Sequence, residues 1–374
     1  MNPGLLISLA SSQQPATGPP LPTRGVAPAW HAAAASPRAG TRLAAHRVAS
    51  GAPGLPLYQA RASVACLDAD AAFMGALCAQ LLCALPGVRV RHFLNAAEAL
   101  AALRPEKARW EAALHAQQAI VAAWHRGQPL LEPLLNDMAF GWPRHVSTTV
   151  LVLDQDLPEL TGLEVLADLS GWPGWRVLTS ASDNPRLALA GFNADLITRF
   201  ARKRSADAVH TLARLVEVLL ATPQPRQQQL WQATLAPAQA ALLGREDIAQ
   251  ELGGYLRERF VEWVVLGDPF GVLTFDLMGD PYWLQLEPRG DLPALAALWR
   301  HTGDGSMDPA TVERGEHLPN LAMRRALGLP GCDLVPACAV GADGALRAAL
   351  TRLQLHAAPV PRGRFCRAAA NGDW

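Results

Sequence analysis

Polar side chains that could do chemistry follow several apolar runs of this sequence. Asp68 closes the run ending in VACLD, with Asp70 just beyond it, and Asp154 closes TTVLVLD. The run WRVLTS ends in Thr179 and Ser180. If these runs are neighbouring parallel strands, their carboxyl ends meet at one edge of a sheet, and we expect the side chains to converge in one crevice.

Lys203, which follows ADLITRFAR, would add one positive charge to this crevice. Carboxylates that share a site repel each other, so they need a divalent cation or a lysine to remain ionised. An oxygen-only ligand set suits Mg²⁺, which completes its coordination shell with water and phosphate. A carboxylate beside the metal could act as a nucleophile toward phosphorus, while a hydroxyl and an ammonium group hold the phosphoryl oxygens.

The elements that must position these side chains alternate between strands and helices. From residue 61 to 222, short apolar runs are followed by segments with helical spacing, and the last of these is the amphipathic SADAVHTLARLVEVLLA. TTVLVLD is apolar throughout, which is typical of a parallel strand covered on both faces. This order predicts an α/β fold with a doubly wound parallel sheet.

Three segments depart from this alternation. Residues 1–60 are rich in Ala, Pro, Gly and Ser, which predicts disorder; a misassigned start codon is the alternative. Residues 104–146, with three tryptophans, read as an insertion after the second helix that serves for packing or docking. Pro223 and Pro225 mark 223–236 as a linker.

Residues 237–374 predict a smaller α+β domain. A helical stretch precedes the strand-like runs FVEWVVL, GVLTFDL and YWLQLEP, which are separated by the turn sequences GDPF and MGDP. We expect an antiparallel meander flanked by helices, with a further helix near 309–328. A ligand pocket beside these strands is one hypothesis for the function of this domain.

Composition excludes several classes of function. The sequence has 33 basic residues (Lys and Arg) and 33 acidic residues (Asp and Glu). This balance argues against general electrostatic binding to nucleic acid or to an anionic membrane. The six cysteines lack CxxC or paired Cys/His spacing, so we expect no zinc site and predict a cytoplasmic protein with reduced thiols. No apolar run approaches the length of a membrane span.

The segment DQDLPELTGLEVL, with Asp154, Asp156 and Gly162, resembles the phosphoacceptor loop of the receiver domains of two-component response regulators. Thr179 and Lys203 follow Asp154 at intervals of one strand–helix–strand step each. The stretch AGFNADLITRFARK is similar to a receiver subgroup with a longer turn before the lysine, and VEWVVLGDPFGVLTFD resembles the module that follows in that subgroup. The resemblance implies a flavodoxin-like, CheY-like receiver domain over 61–222.

By this resemblance Asp154 is the phosphorylated aspartate, Thr179 the switch hydroxyl and Lys203 the residue that contacts the phosphate. It implies a sensor histidine kinase or phosphotransfer protein as the phosphodonor, and a downstream protein as the target of the C-terminal module. We expect no nucleic acid partner, since no recognition-helix signature is present. No HExxH, GxSxG or Walker motif occurs, so we predict no enzyme activity beyond self-catalysed phosphotransfer and autodephosphorylation.

The resemblance also implies that Mg²⁺ binds to Asp68, Asp154 and the backbone carbonyl of Asp156. Receivers carry two adjacent acidic residues after the first strand, but here Ala69 takes the second position. Asp70 lies one place too late and is a helix-start residue in our interpretation, with a ligand role as the alternative. Ala69 therefore keeps a second hypothesis open, in which a degenerate receiver acts as a phosphorylation-independent interaction scaffold.

Overall fold

The computed structural model describes residues 6–8, 54–60, 63–85, 87–141, 147–182, 184–302 and 308–356. The strands are β1 (Leu6–Ser8), β2 (Tyr58–Ala60), β3 (Ser63–Leu67), β4 (Arg89–Phe93), β5 (Thr148–Asp154), β6 (Trp175–Ser180), β7 (Arg199–Arg202), β8 (Glu262–Gly267), β9 (Phe270–Phe275), β10 (Pro281–Pro288), β11 (His317–Pro319), β12 (Leu334–Val340), β13 (Leu346–Arg352) and β14 (Gln354–His356). The helices are α1 (Ala71–Ala84), α2 (Ala96–Trp124), α3 (Leu131–Phe140), α4 (Gly162–Asp168), α5 (Pro185–Asn193), α6 (Ala208–Ala221), α7 (Pro225–Gln232), α8 (Pro237–Leu243), α9 (Glu246–Arg259), α10 (Leu292–Thr302), α11 (Ala310–Glu313) and α12 (Leu321–Ala326).

A five-stranded parallel sheet forms the first unit, with the strand order β4-β3-β5-β6-β7. This is the flavodoxin-like order, in which the first and third strands of the unit lie side by side at its centre. Leu151 and Leu153 of β5 enter one core, and Val150 and Val152 enter the core on the opposite face. The predicted α/β fold is confirmed, and the two-sided burial explains why β5 is apolar throughout.

Side-chain caps determine where two helices of this unit begin. Asn95 accepts a hydrogen bond from the backbone N–H of Glu98 at the start of α2. Thr161 and Glu164 form a reciprocal capping box at the start of α4. α4 therefore begins a fixed distance after β5, which holds the loop between them in place.

The segment 104–146 differs from the predicted insertion after the second helix, because much of it prolongs that helix. α2 continues through Pro105 to a length of 29 residues. Trp110 packs edge-on against Trp172, with ring centroids 5.9 Å apart. Leu131 and Leu135 of α3 lie in the core of the second unit. The segment thus serves for packing, and it joins the two units.

The second unit contains a seven-stranded antiparallel sheet with the order β11-β12-β13-β10-β9-β8-β2. The predicted meander is present as β8, β9 and β10. The predicted helix near 309–328 is wrong, because this segment forms α11, β11 and α12. Gly315 adopts a φ of 66° after α11, a conformation that favours glycine, and β11 then pairs with β12.

The prediction of disorder for 1–60 is wrong for the part of that segment that the structure describes. β2 pairs antiparallel with β8 at the edge of the larger sheet, and Leu55, Leu57 and Tyr58 are buried in its core. β1 pairs with β14 in a separate two-stranded sheet. Residues 1–5 and 9–53 lie outside the described residues.

The predicted linker 223–236 is also wrong, because most of it is the helix α7. Pro225 lies in the first turn of α7, where the missing N–H of proline leaves no helical hydrogen bond unmade. Trp231 is fully buried in the core of the second unit. The two units are therefore connected by a packed helix.

Within the described ranges, no helix combines the length and the apolar character that crossing a membrane requires.

Candidate functional site

The carboxyl ends of three adjacent strands bring the predicted acidic and hydroxyl residues together. Asp68 follows β3, Asp154 ends β5, and Thr179 of β6 lies opposite Asp154 in the strand pairing. Lys203 follows β7, and its Nζ lies 2.7 Å from Asp68 Oδ2 and 3.0 Å from Asp154 Oδ2. The structure therefore places these side chains together at the carboxyl ends of the strands, where the sequence predicted them.

The hydroxyl of Thr179 is buried and loosely bound. Its Oγ1 lies 3.4 Å from Asp154 Oδ1 and 3.3 Å from the carbonyl oxygen of Leu153. Both distances exceed the 2.7–2.8 Å usual for hydroxyl donors. This hydroxyl can therefore turn toward a better acceptor that appears on the Asp154 carboxylate.

Asp70 is the N-cap of α1, as its position after the strand predicted. Its Oδ1 accepts hydrogen bonds from the backbone N–H groups of Ala72 and Phe73, each at 3.0 Å. Its own N–H donates to Asp68 Oδ1 at 2.9 Å. Asp70 thus caps α1 and also contacts the Asp68 carboxylate through its backbone.

The loop after Asp154 is closely packed around a glycine. A Cβ on Gly162 would lie 2.3 Å from the carbonyl oxygen of Asp154, so only glycine fits here. The Gly162 N–H donates to the carbonyl oxygen of Gln155 at 3.1 Å. Asp156 is exposed, and its Oδ2 lies 3.4 Å from Ser180 Oγ. The motif that suggested a phosphoacceptor loop therefore forms a tight turn that packs against the carboxyl end of β5 at Asp154.

Burial and charge shift the pKa values of the central pair. Burial raises the pKa of Asp154 above its ordinary value; the charges of Asp68 and Asp156 act in the same direction, and Lys203 opposes them. Burial alone would lower the pKa of Lys203, but its hydrogen bonds to Asp68 and Asp154 outweigh that effect and the pKa is raised. Lys203 is therefore a cation at neutral pH.

The donor set of the site fits Mg²⁺, with one carboxylate fewer than in the receiver domains that the sequence resembles. Asp68 and Asp154 offer oxygen donors, and one ammonium group cannot neutralise two carboxylates. Ala69 supplies no donor. Among the residues that the structure describes, no three His, Cys, Asp or Glu side chains form a metal-binding group. The cation would rely on two carboxylates, a backbone carbonyl and water.

Phe73 contacts a site residue in a way that the sequence interpretation missed. The Nζ of Lys203 lies 4.9 Å from the centroid of the Phe73 ring. The available signal for Phe73 was its place in the first turn of α1, three residues after the Asp70 cap.

Comparisons by sequence find nothing: no protein-family model matches the chain, and no curated protein is similar to it. By structure, the chain is similar to the response regulator LqsR of Legionella pneumophila, at 17% identity and a TM-score of 0.51. That similarity covers 82% of this chain and 92% of LqsR. The parallel unit has the receiver fold of response regulators. The share of the chain that aligns with LqsR is larger than this receiver unit alone.

Two further solved structures are similar over less than half of the chain. One is the phosphorylated cyanobacterial phytochrome response regulator RcpA, at 17% identity, covering 44% of this chain and 99% of that one, with a TM-score of 0.31. The other is the response regulator TrrA of Thermotoga maritima in complex with Mg²⁺ and beryllofluoride, at 13% identity, covering 42% of this chain and 99% of that one, with a TM-score of 0.27.

Proposed function

We propose that this chain is a response regulator of a phosphorelay, in which the receiver unit accepts a phosphoryl group on Asp154. The observation that carries the proposal is the buried contact of Lys203 with both Asp68 and Asp154, with Thr179 beside them. Burying two carboxylates costs free energy, and a role in phosphoryl transfer accounts for that cost. The phosphodonor would be a sensor histidine kinase or a phosphotransfer protein.

In the proposed transfer, an oxygen of the Asp154 carboxylate forms a bond to the phosphorus of a phosphohistidine. The bond between phosphorus and the histidine nitrogen breaks, and the electron pair stays on that nitrogen. Mg²⁺, when bound, supplies positive charge next to the phosphoryl oxygens. Lys203 loses its contact with the modified carboxylate oxygen and donates to a phosphoryl oxygen instead. Asp68 holds the ammonium group in reach during this change.

Thr179 would report the modification to the rest of the fold. Its long hydrogen bonds to Asp154 and Leu153 can be exchanged for a stronger bond to a phosphoryl oxygen. Because Thr179 is on a buried strand, such a shift moves β6 and the surface next to it. We propose no enzyme activity for the receiver unit beyond self-catalysed transfer and hydrolysis of its own phosphoryl group.

The second unit would be the output module, and α2 offers a direct mechanical connection to it. The N–H of Asp68 donates to the carbonyl oxygen of Phe93 at the end of β4, two residues before the Asn95 cap of α2. α2 then runs about 44 Å at 1.5 Å per residue, and Val121 near its end lies in the core of the second unit. We propose that a downstream protein recognises the second unit.

A second candidate function is that of a scaffold whose partner binds the unmodified chain. Ala69 favours it, since the site has one metal-binding carboxylate fewer than the family pattern. In this case Asp68, Asp154 and Lys203 would form a structural ion cluster. Partner binding would then be the same for the wild type and for Asp154→Asn.

The test is incubation of the purified chain with acetyl phosphate and Mg²⁺, followed by intact-mass measurement. We expect a mass gain of one phosphoryl group, and peptide mapping should locate it on Asp154. Asp154→Asn should show no gain, and chelation of Mg²⁺ should abolish the gain in the wild type. A chain that stays unmodified, while a competent receiver in the same tube is modified, would favour the scaffold.

A further inference from the structure

Lys203 has a third neighbour besides the two carboxylates. Its Nζ lies 4.9 Å from the centroid of the Phe73 ring, and its side chain is 12% exposed. A cation over an aromatic face is attracted to it, more strongly where water is excluded. The ammonium group is therefore held by Asp68, Asp154 and the ring together.

The ring itself is fixed by the segment that carries Asp68. The backbone N–H of Phe73 donates to Asp70 Oδ1 at 3.0 Å, and the N–H of Asp70 donates to Asp68 Oδ1 at 2.9 Å. The Phe73 side chain is half-buried and packs against the core formed by β3, α1 and α6. One short turn thus sets the ring and the Asp68 carboxylate in a defined geometry.

We propose that Phe73 is a positioning residue for Lys203 in phosphoryl transfer to Asp154, an inference that rests on the proposed function. During transfer Lys203 must leave Asp154 Oδ2 and contact a phosphoryl oxygen. The Phe73 ring carries no formal charge and does not change in the reaction, so it keeps the ammonium group at the site throughout. With Ala69 in place of a metal ligand, correct placement of Lys203 matters more to the rate.

The first arm of the test measures the rate of Asp154 phosphorylation by acetyl phosphate at saturating Mg²⁺. We expect Phe73→Leu to react about fivefold more slowly, a change that corresponds to about 1 kcal/mol of cation–π attraction. Phe73→Trp keeps an aromatic face and should restore most of the rate. Phe140→Leu, at a 42% exposed phenylalanine of α3, is the matched control and should react like the wild type. In a Lys203→Met background, Phe73→Leu should have no further effect.

The second arm does not depend on phosphorylation. Lys203 and Lys107 are the two lysines of the sequence, so selective ¹³C-lysine labelling gives two sets of NMR signals. The side-chain protons of Lys203 should show an upfield ring-current shift that Phe73→Leu removes. The Lys107 signals are the internal reference and should not move.

These arms separate failure of the inference from failure of the proposed function. An unshifted Lys203 signal in the wild type would overturn the placement of Lys203 by Phe73. So would a wild-type rate for Phe73→Leu, or an equal loss of rate with and without Lys203. If the wild type is not phosphorylated, the proposed function fails and the placement is decided by the lysine signals alone.

Discussion

Lys203→Met removes the ammonium group that lies between two buried carboxylates, and its cost can be worked from the structure. Asp68 Oδ2 and Asp154 Oδ2 lie 2.7 and 3.0 Å from Nζ, so the two oxygens are within about 6 Å of each other. At an effective dielectric constant of about 20, two charges at about 6 Å repel by about 3 kcal/mol. This repulsion agrees with the cost of removing one partner from a buried ion pair, which is about 3–5 kcal/mol.

Two effects should limit or reverse this loss. Protonation of one carboxylate relieves the repulsion, and for an ordinary aspartate this protonation costs about 4 kcal/mol at pH 7. The loss of stability in Lys203→Met therefore cannot exceed about 4 kcal/mol by much. This loss should become smaller as the pH falls, because protonation then costs less. Mg²⁺ can replace the missing positive charge. At a concentration about 100 times its Kd, a ligand of the folded state contributes about 2.7 kcal/mol.

Urea unfolding of Lys203→Met and wild type, with and without Mg²⁺, measures these quantities. Lys107→Met is the matched control, because Lys107 pairs with Glu111 one helical turn away at 2.8 Å, and such a pair contributes about 0.5 kcal/mol. We expect a loss of about 3 kcal/mol for Lys203→Met in the absence of Mg²⁺, and partial recovery with it. A loss below about 1 kcal/mol, or one that neither Mg²⁺ nor acid reduces, would refute the reasoning.

Three further predictions concern the anchoring of the helices and the acidic pair. Trp231→Ala should lower the free energy of unfolding by about 3–5 kcal/mol in urea titrations, because it empties a fully buried site; a loss below about 1 kcal/mol would contradict that packing. Glu106→Ala should cost about 3 kcal/mol by the same measurement, because Glu106 pairs with Arg91 and accepts from the N–H of Thr148; no loss would mean that α2 is not anchored there. Burial raises the pKa of Asp154, so the wild type loses stability as the pH rises through that pKa. In urea titrations Asp154→Asn should therefore be more stable than the wild type above that pKa and no more stable than the wild type in acid. A gain in stability that is independent of pH would contradict the raised pKa of Asp154.

The receiver unit could be predicted from sequence because its signals are local. Each strand is a short apolar run, and polar residues mark the strand ends. The spacing from Asp154 to Thr179 and on to Lys203 follows from the size of one strand–helix–strand step. Strand order then brings these residues together without any further information.

The elements that were missed depend on partners far along the sequence. Tyr58 lies opposite Val264 in the pairing of β2 with β8, and the N–H of Leu57 donates to Gln228 Oε1 of α7 at 2.9 Å. Neither partner influences the local composition on which the prediction of disorder rested. The same holds for Trp231, whose neighbours come from other parts of the second unit.

α2 shows how tertiary packing outweighs a local signal. Proline inside a helix costs about 3 kcal/mol, yet α2 continues through Pro105. Leu103 and Trp110 on either side of it are buried in the receiver core, and each such side chain contributes about 1.5–3 kcal/mol. Their combined burial exceeds the cost of one proline, so the helix continues.

The central claim, that Asp154 lies in a site built to hold a phosphoryl group, is tested most directly by a crystal structure of the chain with Mg²⁺ and beryllofluoride. We expect the beryllium to be bound to the Asp154 carboxylate, with Lys203 Nζ and Thr179 Oγ1 each contacting a fluoride and Mg²⁺ bound by Asp68 and Asp154. An unmodified Asp154, with Lys203 still between the two carboxylates in crystals that contain both reagents, would contradict the account.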